Sequence, residues 1–286
     1  MRRAGEIRDF AIKLIEDIKP RGRCEFQTEF GLVLPVEIFL KLVDLPASDR
    51  PKLRQLAEAI TRDPDPMQRD KGFEDTSAYL REWLDRRRAQ PGDDMLSAIA
   101  TGSMFGAPIS QDRAVRIALN VMLGGLDTVA SMLGFIMLHL AGDAASRKWL
   151  CENPQRRARA VEELMRRHGL VNNLREAVAD VEIDGATIRA GDHFYLVSAL
   201  HGLDDAQFPN AMSIDLDRPP HPNVVFGAGP HQCAGASLAR IEISIVLEEW
   251  LARIPDFRVP ESEKARTHSA TTNTMEYLPL EQNPTG

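Results

Sequence analysis

Apolar residues recur at Ile7, Phe10, Ala11, Leu14, Ile15 and Ile18, in steps of three and one, which predicts an amphipathic helix that Pro20 ends. A more apolar helix is predicted over 32–44, bracketed by Pro35 and Pro46, and a third over 48–61 with Ser48 as its candidate N-cap. Asp63-Pro64-Asp65-Pro66 reads as a loop. A fourth helix over 70–89 turns Tyr79, Leu80, Trp83 and Leu84 inward; its Arg86-Arg87-Arg88 run reads as a solvated end, and Pro91-Gly92 stops it. A short helix near 95–100 precedes a long one over 110–142, for which Ser110 is the candidate N-cap.

The second half changes character. A charged helix is predicted over 154–168. Apolar residues then alternate around Asp184-Gly185 over 181–188, a hairpin pattern, and 193–200 is strand-like at first. Residues 202–225 hold many Pro, Asn and Asp and no period, and a loop of that length inside a compact domain is usually functional. A helix from 236 to about 253 follows, closed by Pro255, and the tail is irregular with short strand candidates. With no repeat and no linker, a single domain over 1–286 is expected, mainly α with a minor β component (α+β).

The stretch 117–141 is nearly free of charge and long enough to cross a bilayer. It also contains Asn120, Asp127 and His139, and an Asp near the centre of a membrane helix costs roughly 2.5–3.5 kcal/mol. No basic cluster flanks it, so a helix buried in a large helical protein is expected, with no membrane. The basic Met1-Arg2-Arg3 start leads into no apolar core, which argues against export. With 35 Lys and Arg against 42 Asp and Glu, the net charge of −7 disfavours nucleic acid as a partner. The three cysteines, Cys24, Cys151 and Cys233, are too few and too scattered for a disulfide scaffold or a four-Cys zinc site, and point to a reducing cytoplasm.

Two segments carry candidate chemistry. In Phe226-Gly227-Ala228-Gly229-Pro230-His231-Gln232-Cys233-Ala234-Gly235 the glycines let the backbone turn tightly beside something flat, and Cys233 precedes a helix N-terminus, where a thiolate is favoured. A metal needing one protein ligand, such as haem iron, fits; an inert Cys in a turn fits equally well on these residues alone. On the long helix, Asn120, Gly124, Asp127, Thr128 and Ser131 fall on one face as a small, polar stripe. Close helix packing through small residues is one reading. A notch where a small polar ligand meets a proton source is the other, and it accounts for an acid beside a hydroxyl.

The pattern Phe-x-x-Gly-x-His-x-Cys-x-Gly, complete at Phe226, Gly229, His231, Cys233 and Gly235, resembles the signature loop of the cytochromes P-450, the haem-thiolate monooxygenases. The resemblance is nearest to the bacterial, soluble, camphor-hydroxylase-like branch. It implies the family fold, with the long helix over the haem and the Cys loop before a proximal helix. It implies haem b with Cys233 as thiolate ligand, Phe226, Gly227, Gly229 and Gly235 shaping the haem-facing loop, and His231 and Arg175 on the propionates. Gly124-Gly125-Leu126-Asp127-Thr128 resembles the family's oxygen-activation motif. Asp127 would then relay protons, Thr128 would steady the reduced oxygen species, and Gly124 would leave room beside the haem. Glu163-Leu164-Met165-Arg166 resembles the Glu-x-x-Arg pair, implied to join Arg218 in tying 202–225 to the core.

Matching also puts Thr61, Asn120, Leu123, Val171, Asn173, Thr271 and Thr272 on the substrate side. Several are polar where camphor-type enzymes are apolar, which points to a small terpenoid-like molecule carrying oxygen. The implied partners are O2, a [2Fe–2S] ferredoxin and its NAD(P)H-dependent reductase. The chain starts well inside a usual family chain of roughly 400 residues, so over a hundred N-terminal residues would lack a counterpart. A haem-free fragment and a peroxide-using haem-thiolate enzyme stay open as alternatives, the second disfavoured by the Asp127-Thr128 pair.

Overall fold

The computed structural model describes residues 2–61 and 65–282, with the side chains of residues 2, 3, 54, 57, 58 and 61 excepted. The first half runs α1 (Arg2–Ile18), β1 (Arg23–Glu25), α2 (Val33–Leu42), α3 (Arg50–Thr61), α4 (Pro66–Ala89), α5 (Met95–Thr101), β2 (Ser103–Met104), β3 (Ala107–Pro108) and α6 (Gln111–Gly142). The second runs α7 (Ala144–Glu152), α8 (Arg157–Arg167), β4 (Asn172–Glu176), β5 (Val181–Ile183), β6 (Ala186–Ile188), β7 (His193–Val197), α9 (Ser198–Gly202), α10 (Ala236–Arg253), β8 (Phe257–Arg258), β9 (Arg266–Ser269), β10 (Asn273–Tyr277) and β11 (Pro279–Gln282). The contacts group into two compact units, residues 31–130 and residues 1–30 with 131–286, with the boundary inside α6.

In the 31–130 unit, α2 to α5 and the first turns of α6 close around Phe39, Leu40, Leu53, Leu80, Leu84, Leu96, Val115 and Met122. Local chemistry sets the helix starts. Asp65 accepts from the Met67 N–H at 3.0 Å with Pro66 in the first helical position, so α4 begins at 66 rather than at 70. Ser48 does not cap α3; it lies within a short 3₁₀ turn, Ala47–Asp49, that leads directly into the helix. The Arg86-Arg87-Arg88 run is not simply solvated. Arg87 reaches Asp44 at 3.1 Å and Asp94 at 3.0 Å, and Arg88 donates to the Ala100 carbonyl at 3.1 Å. These contacts knit the end of α4 to its neighbours.

In the other unit, Ile7, Ala11, Ile15 and Ile18 of α1 are buried where α1 packs along α10, and Arg8 pairs with Glu248 at 2.9 Å and with Glu249. Phe26, Phe30 and Phe257 surround Trp250 with ring centroids 5.3 to 6.0 Å apart. Strands β1, β11 and β8 form a three-stranded antiparallel sheet, in the order β1-β11-β8. The 181–188 hairpin forms around Asp184 (φ 47°) and Gly185 (φ 81°), the left-handed pair that a two-residue turn requires. Sequence reading passed over α7, capped by Asp143, and over β4, whose Asn-Asn-Leu-Arg-Glu run has little strand propensity and is made a strand by pairing with β7. Helix α6 is long and apolar enough to cross a membrane by length and composition, and 61% of its most apolar window is buried within the protein.

Candidate functional site

The Cys233 loop is closed at both ends. Gly227 (φ 71°) and Gly229 (φ 66°) take left-handed conformations that only glycine adopts cheaply, and a 3₁₀ turn, Gly229–His231, bends the chain back. The Cys233 N–H then donates to the Phe226 carbonyl at 2.8 Å. The next residues enter α10, with the Ala239 N–H on the Gly235 carbonyl at 3.0 Å. Cys233 and His231 are both exposed. A Cβ at Gly235 would sit 3.7 Å from the Cys233 sulfur, in ordinary contact with it.

Seven residues on, the Arg240 guanidinium lies 4.5 Å from the Phe226 ring centroid and binds both carboxylate oxygens of Glu162 on α8. The hydrogen bond to Glu162 raises the Arg240 pKa above its ordinary value, with a smaller electrostatic contribution from Cys233. Sequence gives no signal for this contact, because Arg240 lies inside α10 and its partners lie on other elements.

Glu163, Arg166 and Arg218 meet. Arg166 donates to both Glu163 oxygens at 2.7 and 2.8 Å, and Arg218 Nε donates to the same carboxylate at 3.0 and 3.1 Å. Arg166, 2% exposed, also binds the carbonyls of Gly202, Ala211 (2.9 Å) and Ser213 (3.0 Å), and Arg218 binds that of Pro209 at 2.8 Å. The backbone of the irregular segment therefore hangs on two guanidinium forks. Burial alone would push the Glu163 carboxyl up; hydrogen bonds from Arg166, the Asp215 N–H and Arg218 together hold it below the usual carboxylate range.

On α6, Thr128 Oγ1 donates to the Gly124 carbonyl at 2.6 Å, while Asp127 is 7% exposed and partnered. The predicted stripe is not uniform: Asn120 and Gly124 are exposed, Thr128 is half-buried, and Asp127 and Ser131 are buried. Glycines on this helix are of two kinds. A Cβ at Gly134 would fall 2.7 Å from Met275 and closer still to Gln27, which is close packing; a Cβ at Gly124 or Gly125 meets nothing within 4 Å. Close packing of side chains therefore explains Gly134 and leaves Gly124 and Gly125 unexplained.

Of the predicted substrate residues, Val171 bridges Thr272, and the Asn172 N–H donates to the Thr271 carbonyl at 2.8 Å, so 171–173 and 271–272 are neighbours. Asn173 pairs with Leu196, and Arg175 with Phe194, in the β4–β7 ladder. The Arg175 guanidinium donates to the Leu174 carbonyl at 2.8 Å. Leu123 is partly buried and packs against the core of the 31–130 unit. The Thr61 side chain lies outside the described residues.

These residues fit a haem. Its iron takes one thiolate from the protein, and Cys233 is a single exposed thiol on a glycine-rich loop; among the described residues no cluster of three His, Cys, Asp or Glu offers a competing metal site.

Residues 158–275 match the sequence profile described as Cytochrome P450. The chain is 32% identical over 250 residues to "Probable cytochrome P450 127A1" of Sinorhizobium fredii (strain NBRC 101917 / NGR234), covering 87% of this chain and 60% of that one. It is 30% identical over 264 residues to "Mycinamicin IV hydroxylase/epoxidase" of Micromonospora griseorubida, covering 90% and 66%. The chain thus spans about 60% to 66% of the length of these curated relatives. The crystal structure of CYP101J2 superposes with a TM-score of 0.90 at 38% identity, over 98% of this chain and 70% of that one. On this likeness, the chain belongs to the cytochrome P450 family.

Proposed function

We propose that the chain is the haem-binding part of a monooxygenase that inserts one atom of O2 into a C–H bond of a small hydrophobic, terpenoid-like substrate. Electrons come from NAD(P)H through a reductase and a [2Fe–2S] ferredoxin, and the compartment is the cytoplasm. The observation that carries the reading is the closed Cys233 loop, held by the Cys233–Phe226 hydrogen bond ahead of α10. The names of two relatives, a mycinamicin IV hydroxylase/epoxidase and a vitamin D(3) 25-hydroxylase, are in keeping with oxygen insertion.

Cys233 would hold the haem, with Phe226, Gly227, Gly229 and Gly235 shaping the loop against it and His231 and Arg175 donating to its propionates. When bound, the haem supplies O2 binding and one-electron chemistry, with the thiolate pushing electron density toward O–O cleavage. The chain's own part is proton management. Thr128 Oγ1 donates its hydrogen bond to the Gly124 carbonyl, so the lone pairs of Oγ1 are left to accept a hydrogen bond from a protonated ligand. Asp127, buried one residue earlier, can take and release a proton at its carboxylate, the role of a general acid–base group. Asn120, Leu123, Val171, Asn173, Thr271, Thr272 and Thr61 are proposed to shape the substrate side.

The test supplies ferredoxin, reductase, NAD(P)H and ¹⁸O2 and analyses the product by mass spectrometry. One ¹⁸O atom per product molecule supports the reading. Product formed only with added peroxide, carrying peroxide oxygen, replaces it with a peroxide-using enzyme.

A further inference from the structure

We propose that Arg240 is a positioning residue that clamps the Cys233 loop through the ring of Phe226. The inference rests on the reading of Cys233 as the haem ligand and names a residue that the signature motif does not contain.

The loop leaves Phe226, turns through Gly227 and Gly229, and returns to Cys233, whose N–H binds the Phe226 carbonyl at 2.8 Å. That backbone bond, with the Gln232 N–H on the Gly229 carbonyl at 3.1 Å, sets where Cys233 lies relative to Phe226. From Cys233 the chain enters α10 and reaches Arg240, whose guanidinium covers the Phe226 ring at 4.5 Å. The path from Phe226 through Cys233 and Arg240 is therefore a closed ring, with one backbone bond and one stacked contact as its fastenings. Glu162 orients the guanidinium by accepting from Nε and from a terminal nitrogen (3.1 Å). Glu162 is itself fixed, because its neighbour Glu163 is the carboxylate on which Arg166 and Arg218 converge. The clamp therefore joins the Cys loop to the anchored helix α8.

Arg240 and Glu162 are 39% and 37% exposed, so their ion pair adds little to global stability. Its effect is local order: a planar group on an aromatic face holds one geometry, which a flexible ammonium does not. A site that must present one sulfur to one metal depends on such order.

The test compares wild type, Arg240→Met, Arg240→Lys, Glu162→Gln and Cys233→Ala by two readouts. The first is hydrogen–deuterium exchange of residues 226–235 in the protein without added haem. Arg240→Met is expected to speed exchange there about tenfold, with the melting temperature and the rest of the chain unchanged. The second is the fraction of bound haem giving a thiolate-type reduced CO spectrum, together with its reduction potential. That fraction is expected to fall in Arg240→Met and less in Glu162→Gln, and to recover only in part in Arg240→Lys. Unchanged loop exchange in Arg240→Met overturns the clamp, as does full recovery of both readouts in Arg240→Lys, which would leave charge alone as the cause. A wild type without a thiolate spectrum removes the reading of Cys233, while loop exchange still decides the clamp.

Discussion

Glu242 sits on α10 with 2% exposure, and its Oε2 has no hydrogen-bond partner among the described residues. Burial pushes its carboxyl up to about 8, against an ordinary value of 4.5. A carboxyl whose folded pKa is raised is held neutral in the fold, so its contribution is fully present below the unfolded pKa and is lost as pH rises through the folded one. Between these limits the unfolded chain gains by ionising and the folded chain does not. The loss is about 1.4 kcal/mol per pH unit, or about 3 kcal/mol between pH 5 and pH 7.5. Glu242→Gln and Glu242→Leu remove the titration. Urea denaturation of each variant and of wild type at pH 5 and pH 7.5 gives the difference in stability at each pH, in which all other titrations cancel. That difference should move in favour of both variants by about 3 kcal/mol from the lower to the higher pH. Leu should gain further at both, since a well-packed apolar side chain is cheaper in such a place than an unpartnered acid. A difference that stays flat with pH would refute the reasoning, because it would mean that Glu242 ionises as readily folded as unfolded.

The opposite sign is expected at His168, which stacks on Phe135 with centroids 5.9 Å apart and is pushed down to about 3, chiefly by burial. Its contribution is present above pH about 6.5 and is lost as pH falls toward 3, so His168→Phe should flatten the acid limb of the stability profile measured between pH 7 and 4.5. Thr128→Ala should keep NAD(P)H consumption while product falls and H2O2 is released. Asp127→Asn should slow the whole cycle about 10²–10⁴-fold with less leakage. Wild-type coupling in the first and wild-type turnover in the second would reduce the pair to helix packing. His231→Leu with Arg175→Leu should lower haem content well below that of an Arg189→Leu, Lys264→Leu control; equal content would remove both from the propionates.

Periodicity made much of the helical frame legible: in α1 the buried residues Ile7, Ala11, Ile15 and Ile18 follow one face, and α6 and α10 are long apolar runs. It did not show β4, because Asn172 and Asn173 become strand residues only through their pairing with β7, a contact 23 to 25 residues away in the register Asn172↔Val197 and Asn173↔Leu196. The start of α4 was written in Asp65-Pro66, a capping signal that looks like a loop until the helix behind it is seen. Arg87 reads as a surface charge in sequence because its partners, Asp44 and Asp94, are set by tertiary packing. At the site, spacing on one loop was enough to single out Cys233, whereas Arg240 acts through Phe226 and Glu162, which lie on different elements. Glu242 was hidden for a related reason: charge on a helix reads as solvent-facing, and α10 is covered on more than one side.

The central claim is that Cys233 is the thiolate that holds a haem iron. It is tested most directly by the visible spectrum of the reduced protein under CO, taken for wild type, Cys233→Ala, Cys24→Ala and Cys151→Ala. The account predicts a strongly red-shifted Soret band in wild type and in the Cys24 and Cys151 variants, and its loss in Cys233→Ala alone. A red-shifted band that survives Cys233→Ala, or a wild type loaded with haem that never shows one, would contradict it.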